Sequence, residues 1–187
     1  MPKKAETAMK RKNLLITGPP GCGKTTLVKA VVNEFSDLDP SGFITEEIRA
    51  GGIRQGFEIV SCSGSRALLA YEGLRSRDHV RKYGVDVEAF EAFIAKVPFR
   101  FPHKFFVVDE IGKMECLSQK FRERMVQLLD GPVPVIATVA QQGDDFIEDV
   151  KARSDIVLAV MTKENRDEAL KLVKERFAKM IAESEKF

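Results

Sequence analysis

Gly18-Pro19-Pro20-Gly21-Cys22-Gly23-Lys24-Thr25 satisfies every fixed position of the pattern G-x-x-x-x-G-K-[ST]. Residues of these types at this spacing suit one chemistry, the grip of a polyphosphate. Glycines let the backbone curl until successive N–H groups point inward at anionic oxygens. A helix starting near Gly23 aims its positive dipole end at the same oxygens. Lys24 supplies a mobile cation for the outer phosphates, the Thr25 hydroxyl is a ligand for Mg²⁺, and Thr26 can donate to the inner phosphate. Cys22 sits at a variable position and reads as a small filler.

A second group of chemically capable residues follows an apolar run. Phe105–Val108 leads into Asp109 and Glu110. In proteins with this kind of loop, the first acid at such a strand end holds the metal ion, so Asp109 joins Thr25 in the expected Mg²⁺ site. Glu110 is placed to accept a hydrogen bond from an attacking water and polarise it. Lys113 is positioned either to reach a terminal phosphate or to pair with Glu115. Thr138, near the end of a later apolar run, is either a sensor of the terminal phosphate or a strand threonine satisfied locally.

These side chains need a scaffold, and the pattern of apolar residues supplies one. Leu14–Thr17 reads as a strand ending at the glycine loop, and Leu27, Val28, Val31, Val32 and Phe35 form the inner face of the helix after it. Gly42–Arg49 and Ile53–Ser61 read as extended segments around the turn pair Gly51-Gly52, with Arg66–Ala70 a possible third strand. Phe90, Phe93, Ile94 and Val97 recur at helical spacing before Pro98 and Pro102. Phe105–Val108, Val133–Val139 and Ile156–Val160 are continuous apolar runs, as in strands buried on both faces. Ser118 is a candidate cap for a helix with Phe121, Met125 and Leu128 inside; Phe146–Val150 reads as a short helix. A last helix carries Leu170, Val173, Phe177 and Met180. Strands alternating with amphipathic helices imply a three-layer α/β fold with a mostly parallel sheet and a β-hairpin insertion.

The 187 residues suit one domain, assigned here to residues 13–187 behind a flexible basic tail at 1–12. Thirty basic and 28 acidic residues leave a net charge of +2, which gives no electrostatic case for nucleic acid or a membrane surface as partner. No apolar run approaches the roughly 20 residues of a membrane span. Cys22, Cys62 and Cys116 are odd in number and widely spaced, which argues against a disulfide framework and for a reducing cytoplasm. His79 and His103 have no neighbouring ligand set and read as structural or surface residues.

With these residues in view, the chain resembles the small nucleoside-triphosphatase family first described from thermophiles, whose human member is the cancer-related nucleoside triphosphatase. The resemblance runs from about Asn13 to about Leu172. It rests on Gly18–Leu27, Gly42–Phe57, Tyr83–Phe90, Val107–Glu115 and Val160–Asp167. It implies a RecA-like P-loop core and slow hydrolysis of ATP, GTP, CTP and UTP with little base preference. By position it also implies nucleotide contacts at Gly18–Thr25 and at Val108, Asp109, Glu110, Ile111 and Gly112. Two positions depart from the family's pattern: Arg81, where members tend to carry glycine, and Cys116, where they tend to carry an apolar residue.

The base end of a nucleotide is expected at Thr162–Arg166. Switch GTPases read guanine there with an aspartate, whereas this chain carries the amide Asn165, followed by Arg166, whose guanidinium can lie flat against any base. Helix capping by Thr162 or Asn165 is the alternative use of the same residues. Hydrolysis is the leading expectation. A small-molecule or nucleotide kinase using residues 42–102 as acceptor pocket, or a nucleotide-dependent switch, are the competing ones. Arg49, Arg54, Arg75 and Arg77 are candidate arginine fingers without assigned geometry.

Overall fold

Short apolar runs alternating with amphipathic ones become strands and helices in sequence order. The computed structural model describes residues 11–100 and 102–184. The elements are β1 (Asn13–Thr17), α1 (Lys24–Glu34), β2 (Ser41–Ala50), β3 (Ile53–Ser61), β4 (Arg66–Glu72), β5 (His79–Val80) and β6 (Tyr83–Val85). They continue with α2 (Val87–Ile94), β7 (Phe106–Ile111), α3 (Gln119–Asp130), β8 (Val135–Val139), α4 (Asp145–Ala152), β9 (Ile156–Val160) and α5 (Arg166–Ser184).

All nine strands join one sheet in the order β5-β6-β4-β3-β2-β7-β8-β1-β9. The half from β2 to β9 is parallel, and the half from β2 to β5 is antiparallel. Long β2 belongs to both halves. Its first residues, Ser41–Ile44, pair in parallel with Phe106–Asp109 of β7, while Phe43–Ala50 pair antiparallel with β3. Gly42 makes that junction possible, because a Cβ there would lie 1.9 Å from the Val107 carbonyl oxygen.

Alternation along the parallel strands divides the core into two layers. Leu14 and Ile16 of β1, Phe105, Val107 and Ile136 face Leu27, Val28 and Val31 of α1 and Val173 and Phe177 of α5. Leu15, Phe43, Val108 and Ala137 point the other way, toward α2, α3 and α4. Phe43 packs edge-on against Phe90, Phe93 and Phe121, with ring centroids 6.0, 6.2 and 6.3 Å away. The expected three layers with a parallel core are therefore present. The insertion is larger than a hairpin, a four-strand antiparallel wing. β5 and β6 are two and three residues long, too short to show a period, and the residues of β6 are all buried, so no alternation marks them.

Boundaries moved modestly. β8 starts at Val135, two residues later than the apolar run beginning at Val133. Val97 lies beyond α2, which begins at a cap where the Asp86 carboxylate accepts from Ala89 N–H. The expected flexible tail falls outside the described residues over positions 1–10. Lys12 is tied down: its N–H donates to the Asp155 carbonyl at 3.2 Å and its ammonium to the Asp130 carbonyl at 2.9 Å. Arg81 adopts φ 55° in the turn between β5 and β6, so the conformation that suits glycine is kept by an arginine. Buried Cys116 fills an apolar position without disturbing its turn.

Because Phe43 anchors the aromatic cluster from the strand shared by both halves, Phe43→Ala should cost about 3–5 kcal/mol of folding stability. Urea denaturation measures this, and a loss below about 1 kcal/mol would contradict the packing role assigned to it.

Candidate functional site

β1 delivers the chain to the edge of the sheet, where the glycine loop turns it into α1. Three of the loop's glycines have positive φ: 154° at Gly18, 73° at Gly21 and 109° at Gly23. Gly18 also passes so close to the chain after β9 that a Cβ would lie 2.0 Å from the Met161 carbonyl oxygen. Cys22 is buried beneath the loop in the apolar layer, as a filler should be. Pro19, Pro20 and Gly21 form the exposed crest.

The start of α1 differs from the other helix starts. Asp86, Ser118 and Asp144 cap α2, α3 and α4 with side-chain oxygens. Gly23 offers α1 no side chain, and no acid stands in its first turn. Its leading amides and dipole therefore face outward without a protein acceptor, the condition that favours an anion. The Lys24 ammonium is folded back on the loop, donating to Gly18 O at 2.9 Å and Pro19 O at 3.4 Å.

Strand order decides how the acids reach this loop. β8 lies between β1 and β7, so the carboxylate of Asp109 crosses an intervening strand. Thr138 of β8 occupies that space and donates to Asp109 Oδ1 at 2.5 Å. Its hydroxyl is thus committed to holding Asp109, the local satisfaction that was one of its two expected uses. Thr45 of β2 donates to the Asp109 carbonyl at 2.5 Å. Asp109 itself is buried, and its Oδ2 has no hydrogen-bond partner. Burial pushes its carboxyl above the usual range, partly offset by the hydroxyls of Thr138 and Thr25 and by the nearby charge of Lys24.

An unpartnered buried carboxylate oxygen beside a threonine hydroxyl suits a small hard dication. Among the described residues no group of three or more His, Cys, Asp or Glu side chains is arranged to hold a metal. Such an ion would therefore complete its shell with water and substrate oxygens, as Mg²⁺ does.

Glu110 follows Asp109 through a cis peptide bond and is half-buried within the field of Lys24. Burial raises its carboxyl, Lys24 lowers it, and Asp109 raises it. Val108 and Ile111 are buried in the apolar layer on the α2–α4 side, and Gly112 lies just past the strand. The ion pair considered for Lys113 and Glu115 is not formed. Lys113 is exposed, whereas Glu115 is buried in the 3₁₀ turn Glu115–Leu117. The charges felt by Glu115 are those of Glu110 and Asp109, and burial foremost raises its carboxyl well above the ordinary value. Spacing in the sequence put a lysine two residues away; the turn sent the two side chains to opposite sides.

At the expected base end, Asn165 is taken up by its own turn. Thr162 N–H donates to Asn165 Oδ1 at 2.7 Å, Asn165 Nδ2 donates to the Val160 carbonyl at 3.0 Å, and Asn165 N–H donates to Thr162 Oγ1 at 3.3 Å. The capping use prevails. Arg166 reaches the loop, donating from Nε to the Cys22 carbonyl at 3.1 Å and standing over Gly23. Of the finger candidates, Arg49 and Arg54 are both paired to Glu47. Arg75 and Arg77 precede β5 at the far edge, about 30 Å from β1 along the sheet at the usual strand spacing. His103 binds Asp39 through Nδ1 at 3.0 Å, and His79 is exposed. No helix among the described residues is long and apolar enough to cross a membrane.

With this geometry in hand, comparison with known proteins is specific. The sequence profile of the family described as NTPase matches residues 13–174. Nucleoside-triphosphatase THEP1 of Thermotoga maritima is 40% identical over 159 residues, covering 84% of this chain and 90% of that protein. The human cancer-related nucleoside-triphosphatase is 36% identical over 176 residues, covering 85% and 93%. The crystal structure of THEP1 from the hyperthermophile Aquifex aeolicus superposes with a TM-score of 0.80 at 33% identity, over 88% of this chain and 98% of that one. The solution structure of the human protein gives 0.73 at 34% identity, over 88% and 96%.

The buried carboxyl of Glu115 links folding to pH. Its folded value lies above the ordinary 4.5, so its contribution is full below that value and is lost as the pH rises through the folded one. In metal-free buffer without nucleotide, wild-type stability should fall more steeply above about pH 5 than that of Glu115→Gln. Denaturation midpoints across pH test this; parallel profiles would contradict it.

Proposed function

The chain belongs to the NTPase family, and we propose that it hydrolyses the terminal phosphate bond of ATP, GTP, CTP and UTP slowly, with Mg²⁺ and little base preference. The observation that carries this reading is the pairing of an uncapped helix start, bearing Lys24 and Thr25, with the unpartnered buried oxygen of Asp109.

The amides from Pro19 to Thr25 take the polyphosphate, and the Lys24 ammonium leaves the carbonyls of Gly18 and Pro19 for phosphate oxygens. Mg²⁺ held by Thr25 and Asp109 would neutralise charge on the outer phosphates. Thr138 keeps Asp109 aimed, and Thr45 holds the backbone under it. Glu110 orients a water toward the terminal phosphorus and accepts its proton. Its raised proton affinity brings it nearer to neutral pH, where a base works best.

Weak base preference follows from the other end of the site. The edge of Asn165 is occupied by its own turn, which leaves Arg166 to offer a flat cation and no edge-reading acceptor. Slow turnover follows from the arginines. Arg49 and Arg54 are neutralised by Glu47, and Arg75 and Arg77 lie at the far edge. Without a finger, turnover is expected on the order of 10⁻⁴ to 10⁻² s⁻¹. Three free cysteines suit a reducing cytoplasm.

Phosphate release from the four triphosphates and their diphosphates, measured with and without Mg²⁺, tests this reading. Glu110→Gln should bind nucleotide near normally and turn over about 10²–10⁴-fold more slowly. Lys24→Ala should weaken both. Tight binding with negligible release, unchanged by Glu110→Gln, would sink hydrolysis in favour of a switch.

A further inference from the structure

Glu115 is a buried carboxyl beside the catalytic acids that the reaction described above does not use. It opens the 3₁₀ turn after β7, and the turn is pinned at several points. Cys116 N–H donates to the Gly112 carbonyl at 2.9 Å, and Ser118 N–H donates to the Glu115 carbonyl at 3.1 Å. Arg122 Nε donates to the Cys116 carbonyl at 2.6 Å. Ser118 in turn caps α3 and donates its hydroxyl to Glu91 at 2.8 Å. The backbone beneath Glu115 has little freedom.

Its side chain returns toward β7. A Cβ placed on Gly112 would lie 2.7 Å from Glu115 Oε2 and 2.8 Å from Glu110 Oε1. Both oxygens therefore crowd the same empty face of Gly112, within reach of one shared proton or one bridging water. Two bare carboxylates do not settle at such a separation. Burial and the neighbouring charge of Glu110 keep the proton on Glu115, which makes it a donor.

We propose that Glu115 is a positioning residue for Glu110, holding that carboxylate across Gly112 so that its remaining lone pairs face the attacking water. The inference rests on Glu110 acting as the base. Glycine at position 112 is then a requirement of the chemistry, because its missing side chain is the space the two carboxyl groups share.

The test uses the full chain and three variants besides Glu110→Gln. Glu115→Leu removes the donor at similar size, and Glu115→Gln restores a donor without charge. Gly112→Ala fits the local backbone, which is not left-handed, and displaces only the far ends of two flexible side chains. Phosphate release and the binding of a fluorescent nucleotide are measured for each. Glu115→Leu and Gly112→Ala should lower kcat about 10–100-fold, the scale set by misplacing a reacting group by about 1 Å, with nucleotide Kd within about 2-fold of wild type. Glu115→Gln should keep kcat within about 3-fold.

Wild-type kcat in Glu115→Leu, while Glu110→Gln loses turnover, overturns this inference and leaves the hydrolytic reading standing. Equal losses in Glu115→Gln and Glu115→Leu would assign the effect to charge, and parallel losses of binding and turnover would assign it to nucleotide affinity; either overturns the proposal. Should Glu115→Leu fail to fold, wild-type turnover in Gly112→Ala overturns it alone. Absent release by wild type, or full activity of Glu110→Gln, removes both readings together.

Discussion

A carboxylate buried at the end of a strand, with one oxygen held and the other left without a partner, is the constraint around which this protein is organised. Asp109 is covered by β2, β7 and β8 and takes one hydrogen bond from Thr138. Burying such a group is expensive unless something compensates. The partial compensation comes from Thr138, Thr25 and Lys24, and its incompleteness is what makes the place receptive to a cation. The sheet exists in this order, with β8 between β1 and β7, so that a threonine can stand between loop and acid.

The phosphate loop shows the same logic in the opposite sign. Three helices close their first turns with Asp86, Ser118 and Asp144. The helix after the loop begins at a glycine and leaves its amides unanswered. Lys24 rests meanwhile on the carbonyls of Gly18 and Pro19, which holds the ammonium at the loop it serves. Unmet donors on one side and an unmet acceptor on the other define a gap that a metal–polyphosphate matches in charge and in hydrogen bonding.

The antiparallel wing has a structural share in this. β2 carries Thr45 to the Asp109 carbonyl, and the salt bridges of Glu46 and Glu47 brace the hairpin that extends beyond the parallel core. That bracing takes Arg49 and Arg54 out of consideration as free cations near the site. A wing of this kind stiffens the strand next to the catalytic one and gives the protein a rigid but electrostatically quiet flank.

Much of the above was legible from residue order alone, for a physical reason. The phosphate loop, the strand before it, the helix after it and the acids of Asp109–Glu110 are local features, determined by glycine's conformational range and by apolar periodicity within a few residues. The family followed from the same short blocks. What residue order left open was anything settled by neighbours distant in the chain. Thr138 and Asn165 each had two readings until contacts with Asp109 and with Thr162 and Val160 chose between them. Lys113 and Glu115, two residues apart, were separated by a turn that buries one and exposes the other. The strands β5 and β6 are too short to display a period, and strand order itself is a matter of packing between segments up to a hundred residues apart. Sequence determined which groups could meet a phosphate; only the tertiary fold decided which of them were already held by another residue.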